Sequence, residues 1–231
     1  MSNELLAHPI AALTLTIAVF VVASWINTRT RHPLANPVLI SVSILIATLS
    51  LTGTTYDAYF KGAQFIHFLL GPATVALAVP MFRQLGKVRS ALLPVVAGIV
   101  SGSAAGVASV VGVAAAFSLS PELAASLATK SVTAPVAMGI AAYTGALPPL
   151  AAIFAVLAGM TGAAFGPALL DRMGITDPLA RGLAMGTASH GQGTARILQE
   201  SEEAGAVSGV AMGLTALIMA VVMPPLSRIL I

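Results

Sequence analysis

The sequence predicts an all-α, polytopic membrane protein in which two hydrophobic segments are discontinuous, and three observations lead to that class. Hydrophobic residues make up 57% of the chain and charged residues 8%, against about 25% charged in a soluble domain. Mean hydropathy is +0.95. The 231 residues are used up by about eight hydrophobic segments of about 20 residues, the length that spans a hydrocarbon core about 30 Å thick. The third observation is a polar stretch inside this pattern, Leu127 to Met138, which contains Lys130, Ser131, Thr133 and Pro135. Pro135 lacks an N–H, and its ring meets the carbonyl four residues back. A helix arriving from Leu123 is therefore expected to stop near Lys130, and a new one to start at Pro135 after a short unwound segment.

Taken in order, the first segments are Pro9 to Ile26, Pro37 to Leu51, Gly62 to Phe82 and Ala91 to Phe117. The first has an apolar run longer than a signal-peptide core and is expected to be a retained helix. Arg29 and Arg31 follow it, and Arg83, Lys87 and Arg89 follow the third. By the positive-inside rule both loops are cytoplasmic and the N-terminus lies outside. The third segment contains Gly71, Pro72 and Thr74, so it is a further candidate for interruption, with a simple kink as the alternative.

Gly98, Gly102 and Gly106 recur every four residues on the fourth segment, and similar spacing returns at Gly162 and Gly166, Gly182 and Gly186, and Gly205, Gly209 and Gly213. Such faces let helix backbones approach closely, and packing is the role expected of them. A relative of the first polar stretch also returns, at Leu183 to Thr194, with Gly191 standing where Pro135 stood. Ser120-Pro121 is echoed by Asp177-Pro178, each an N-cap followed by proline at the first helical position. The chain is thus expected to be a single transmembrane domain, 1–231, with an internal repeat at about 91–143 and 150–200. Segments broken at corresponding places mark a transporter's binding site, and the two breaks are expected to meet near the midplane. Two half-helices of about nine residues reach about 27 Å, so length leaves open whether each segment crosses or re-enters.

Lys130 is the sharpest chemical signal. A lysine at the bilayer centre costs about 2.5–3.5 kcal/mol, so it faces a bundle interior or wet cavity unless it snorkels to an interface. Ser131 and Thr133 add hydrogen-bond donors, and the half-helix starting at Pro135 aims free N–H groups and a positive dipole end at the same place. Together they describe an anion site. The second stretch adds Thr187, Ser189, His190, Gly191, Gly193 and Thr194; the glycines let the backbone leave helical geometry beside a ligand. A histidine side chain can titrate near neutral pH, so His190 is the candidate for proton coupling, with a packing hydrogen bond as its alternative. Arg196 marks a membrane edge, and Glu200, Glu202 and Glu203 read as a solvated loop.

Other classes find no support in the residues. There is no H-E-x-x-H, no G-x-S-x-G and no pair of intramembrane carboxylates, so no enzyme is expected. The absence of cysteine removes disulfides and thiolate sites, and neither a cofactor nor a metal is expected. Net charge is +3, but the basic residues are scattered through loops, so nucleic acid is not an expected partner.

Three strings, Phe68 to Pro80, Lys130 to Ala137 and Arg181 to Arg196, closely resemble the LrgB/CidB family, with similarity from about Asn36 to the C-terminus. That family was first described as holin-like or antiholin-like, linked to murein hydrolase activity and lysis. It includes the C-terminal half of the plant plastidic glycolate/glycerate translocator. The resemblance implies a bacterial inner-membrane carrier for small monocarboxylates such as glycolate, glycerate or pyruvate; for its alternating access, the small-residue helices favour elevator sliding, with rocking of one repeat as the alternative. Its alternative is a holin-like or antiholin-like subunit in a lysis system. Expected partners are the carboxylate, membrane lipid and a smaller LrgA/CidA-like membrane protein, with a second copy of the chain as a further candidate. Gly191-Gln192 departs from the small residue that often follows the histidine in the family, which leaves the substrate open.

Overall fold

The computed structural model describes residues 8–30, 35–69, 72, 75, 76 and 78–230. Among the described residues there are eleven α-helices and no strand. They are α1 (Pro9–Thr30), α2 (Pro37–Thr52), α3 (Tyr56–Phe68), α4 (Ala78–Arg83), α5 (Leu85–Ser90), α6 (Leu92–Phe117), α7 (Pro121–Ala128), α8 (Ala134–Thr144), α9 (Pro148–Arg172), α10 (Pro178–Leu198) and α11 (Glu202–Leu230). Four of them, α1, α6, α9 and α11, are long and apolar enough to cross a bilayer. The chain forms two compact units, Met1–Ala76 and Leu77–Ile231.

In the first unit α1 packs on α2 and α3. The Asn36 side chain accepts from the amides of Val38 and Leu39 to start α2, and Gly53 ends it at φ 66°, a conformation glycine adopts without strain. At Gly62 of α3 an added Cβ would stand 2.7 Å from the Ala12 Cβ, so the glycine seats α3 directly on α1. The hydroxyls of Thr16 and Tyr59 hydrogen-bond at 2.6 Å across the same contact. α1 runs to Thr30 rather than to the expected Ile26, and the Arg29 guanidinium lies 5.3 Å from the Trp25 ring centroid. α3 ends at Phe68; the expected interruption at Gly71 and Thr74 lies outside the described residues, and Pro72 is exposed.

Thr30 and Gly86 are both exposed, so the expected topology can be checked with single cysteines in a chain that has none of its own. Thr30→Cys and Gly86→Cys should resist a membrane-impermeant thiol reagent in intact cells and react after permeabilisation. Labelling from outside would reverse the assignment.

In the second unit the long helices α6, α9 and α11 surround shorter pieces. α7 starts as expected, with Ser120 capping the Leu123 amide and Pro121 at the first position. It stops at Ala128, and α8 begins at Ala134 after Thr129–Thr133. The Ser126 hydroxyl accepts a 2.9 Å hydrogen bond from the Leu147 amide beyond the far end of α8. Since α8 has 11 residues and is about 16 Å long at about 1.5 Å per residue, it must come back towards α7. The interrupted segment turns round on itself.

α10 does the same more sharply. Asp177 caps Leu179 and Ala180 with Pro178 at the first position, as expected. Helical geometry then continues to Leu198 except at His190, which has φ 41° and ψ −130°. Arg181 and Glu200 are 19 residues apart yet bonded at 2.8 Å; a straight helix of that length would separate them by about 28 Å. α10 is therefore a hairpin with its tip at His190. The second break lies within the expected stretch, Thr187 to Gly193, but only His190 leaves helical geometry. Gly193 makes it fit, because an added Cβ there would stand 2.5 Å from the Met185 carbonyl oxygen on the opposite arm.

Each half of the two turned-back segments is shorter than the roughly 20 residues that cross a bilayer.

Candidate functional site

The glycine faces of the long helices hold both turned-back segments. An added Cβ at Gly98 would stand 3.2 Å from Leu183 Cδ1, and one at Gly102 would stand 3.0 Å from Thr187 Cγ2. The first arm of α10 thus follows α6 in four-residue steps, Leu183 at Gly98 and Thr187 at Gly102. At Gly106 the neighbour is Ser131 of the first break, 3.5 Å from an added Cβ to its Oγ. Lys130 Nζ also donates to the Gly106 carbonyl at 3.2 Å. The break between α7 and α8 and the first arm of α10 therefore lie against adjacent turns of one helix.

α9 supplies the opposite wall. A Cβ at Gly166 would stand 2.5 Å from Met185 Sδ, one at Gly162 would collide with Ser189, and one at Gly159 would stand 2.6 Å from the His190 ring. α11 closes a third side. The Ser208 hydroxyl bonds Thr194 Oγ1 at 2.8 Å, and because Thr194 itself donates to the His190 carbonyl at 2.8 Å, Ser208 is the donor. The glycines expected only to pack helices thus also set where the tips sit.

The predicted site residues divide by what they do here. Lys130, Ser131 and Thr133 are half-buried, and the Thr133 hydroxyl makes no capping bond to α8 although it stands at the N-cap. Thr187, Ser189, His190, Gly193 and Thr194 are buried, Gly191 is half-buried and Pro135 is exposed. Thr194 donates to the His190 carbonyl within the hairpin and accepts from Ser208 of α11. Pro72 belongs to the first unit.

His190 combines a rarely allowed backbone with a fixed ring. Its Nε2 bonds the Ala155 carbonyl at 2.8 Å, and a carbonyl can only accept, so Nε2 carries a proton. A non-glycine residue in such a conformation costs about 1–3 kcal/mol and persists where its surroundings over-determine it. His190→Ala should lose the ring bond and keep the backbone strain, whereas His190→Gly loses the bond but relieves the strain. The glycine variant is therefore expected to be the more stable of the two by about 1 kcal/mol or more in detergent unfolding.

Sequence reasoning missed the charge cluster at the base of the hairpin. Arg181, 11% exposed in its side chain, bonds Asp171 at 2.7 Å and Glu200 at 2.8 Å, and Arg196 bonds Glu200 at 2.9 Å. Glu200, in the exposed turn after α10, joins Arg181 of the first arm to Arg196 of the second. Its signal in the sequence was only a lone arginine three residues after a Pro-started helix.

A multi-pass membrane protein with two turned-back helical segments held in glycine-lined grooves is the class this arrangement defines. The model of the LrgB-like family matches residues 16–229, and the chain belongs to that family. It is 31% identical over 224 residues to the holin-like protein CidB of Staphylococcus epidermidis, covering 97% of each chain. It is 29% identical over 214 residues to holin-like CidB of Staphylococcus aureus, covering 93% of each, and 34% identical over 209 residues to YxaC of Bacillus subtilis, covering 90% of this chain and 91% of that one. No solved structure matches.

Proposed function

We propose that the chain acts in the bacterial inner membrane as a holin-like subunit, modulating murein hydrolase activity and lysis together with a smaller LrgA/CidA-like protein. One observation carries this reading: the similarity to holin-like CidB runs through nearly the whole of both chains. Co-purification with an LrgA/CidA-like protein from the same cells, and altered autolysis when this chain is deleted, are the results expected. Normal autolysis in the deletion strain would count against it.

A second reading is favoured by the geometry. Lys130 and Ser131 at Gly106, one turn from Thr187 at Gly102, are the arrangement a carrier for small monocarboxylates needs. An ammonium and hydroxyl donors converge where backbone has left the helix, and such backbone is tolerated at membrane depth only inside protein or beside water. In this reading the two segments are re-entrant hairpins, their tips lie near the midplane as copies of one repeat, and His190 couples transport to protons. Uptake of labelled glycolate by liposomes containing this protein alone separates the readings. Uptake supports a carrier; none, with lysis modulation intact, leaves the holin-like subunit.

A further inference from the structure

Helical hydroxyls in this protein have a customary partner. Thr16, Thr48 and Thr161 donate to the carbonyl four residues back, and Ser101 and Ser109 to the one three back. That bond satisfies a hydroxyl within an apolar helix. Ser103, Thr187 and Thr215 depart from it. They are 5%, 6% and 0% exposed, and among the described residues their hydroxyls have no partner. Buried polar groups are nearly always bonded, so each such exception calls for an explanation.

The three unpaired hydroxyls fall in one layer. On α11, Ala204 O and Val207 face Gly182, Ser208 and Ala211 face Gly186, and Met212 Sδ lies 3.8 Å from an added Cβ at Gly191. The same register brings Thr215 to the level of the hairpin tip. Thr187 sits on Gly102 of α6, beside Ser103. Apolar clusters bound the layer on both sides: Val95, Ile99 and Ala211 on one, Val110, Met219 and Met223 on the other. Lys130 reaches Gly106, between Ser103 and Val110 on α6, and so enters this layer. Its positive charge makes the layer unsuited to a metal cation and suited to an oxyanion.

We propose that Ser103, Thr187 and Thr215 are ligand-contacting residues, donating hydrogen bonds to the oxygen on C2 of a small 2-hydroxy or 2-keto acid whose carboxylate pairs with Lys130. The proposal rests on the carrier reading, and its test separates the two. Binding of glycolate and of acetate, which lacks the C2 oxygen, is measured on the detergent-purified protein and on Ser103→Ala, Thr187→Val and Thr215→Val, with a thermal midpoint for each. The parent should prefer glycolate, and each variant should weaken glycolate about five- to tenfold while leaving acetate unchanged. The midpoint should stay level or rise, because an unpaired buried hydroxyl has been removed. Unchanged glycolate affinity in Thr187→Val and Thr215→Val, with Lys130→Met still weakening it, overturns the hydroxyl contacts and leaves the carrier reading standing. A lower midpoint with the glycolate preference intact marks a structural hydroxyl and overturns them too. A parent that binds neither acid overturns both.

Discussion

Gly186→Ala should prevent the α10 hairpin from seating against α11. A Cβ at that position would collide with the Ser208 carbonyl oxygen and stand 2.8 Å from both the Ser208 Cα and the Ala211 Cβ. Two of those atoms are backbone, which no rotamer change can move aside. Overpacking of this kind costs about 1–3 kcal/mol, and more where neighbours cannot yield. The upper end is expected here, because association between membrane helices depends on close packing rather than on burial from water. Gly139→Ala and Gly213→Ala provide the contrast: nothing lies within 4 Å of an added Cβ at either position. Both should be neutral or stabilising by up to about 1 kcal/mol, the helix-propensity gain of alanine over glycine. Thermal unfolding in detergent decides it; a Gly186→Ala protein as stable as the Gly213→Ala one would mean that the hairpin does not pack on α11 as described.

Lys130→Met should have the largest effect on ligand binding. A lysine kept for packing is costly at membrane depth, so its replacement by methionine would leave function intact or even stabilise the fold. A lysine that meets a carboxylate behaves otherwise. Among the described residues its ammonium bonds the Gly106 carbonyl, and with three donors it has capacity for an anion beside that bond. Removing a charge-assisted hydrogen bond worth about 1.5–3 kcal/mol should weaken glycolate or pyruvate binding about ten- to a hundredfold. Lys130→Arg keeps the charge but changes its shape and reach, so partial rescue is expected. Equal affinity in the parent and in Lys130→Met would remove Lys130 from the site. For His190→Ala, an uptake pH profile like the parent's would remove proton coupling and leave the anion site in place.

Much of this was legible from local signals. Ser120-Pro121 and Asp177-Pro178 predicted two helix starts, and both residues cap as expected. Pro135 predicted the end of α7 and the start of α8, because a missing N–H and a ring clash act within four residues of the proline. The glycine spacing predicted close helix contacts without saying which side chains would fill the grooves. The glycines of the second stretch marked a break between Thr187 and Gly193 without saying which residue would turn; it is His190, whose ring is tied to Ala155 on α9.

The membrane class, the helix starts and the first break therefore follow from composition and from chemistry acting over a few residues. The direction of the chain after each break does not. Whether a half-helix continues or returns depends on pairs such as Ser126 with Leu147 and Arg181 with Glu200, 21 and 19 residues apart, and on glycines in α6, α9 and α11 that admit the returning arm. The unpaired state of Ser103, Thr187 and Thr215 was equally invisible. A serine or threonine in a helix reads the same whether its hydroxyl bonds the carbonyl one turn back or faces a shared interior, and only packed neighbours decide which.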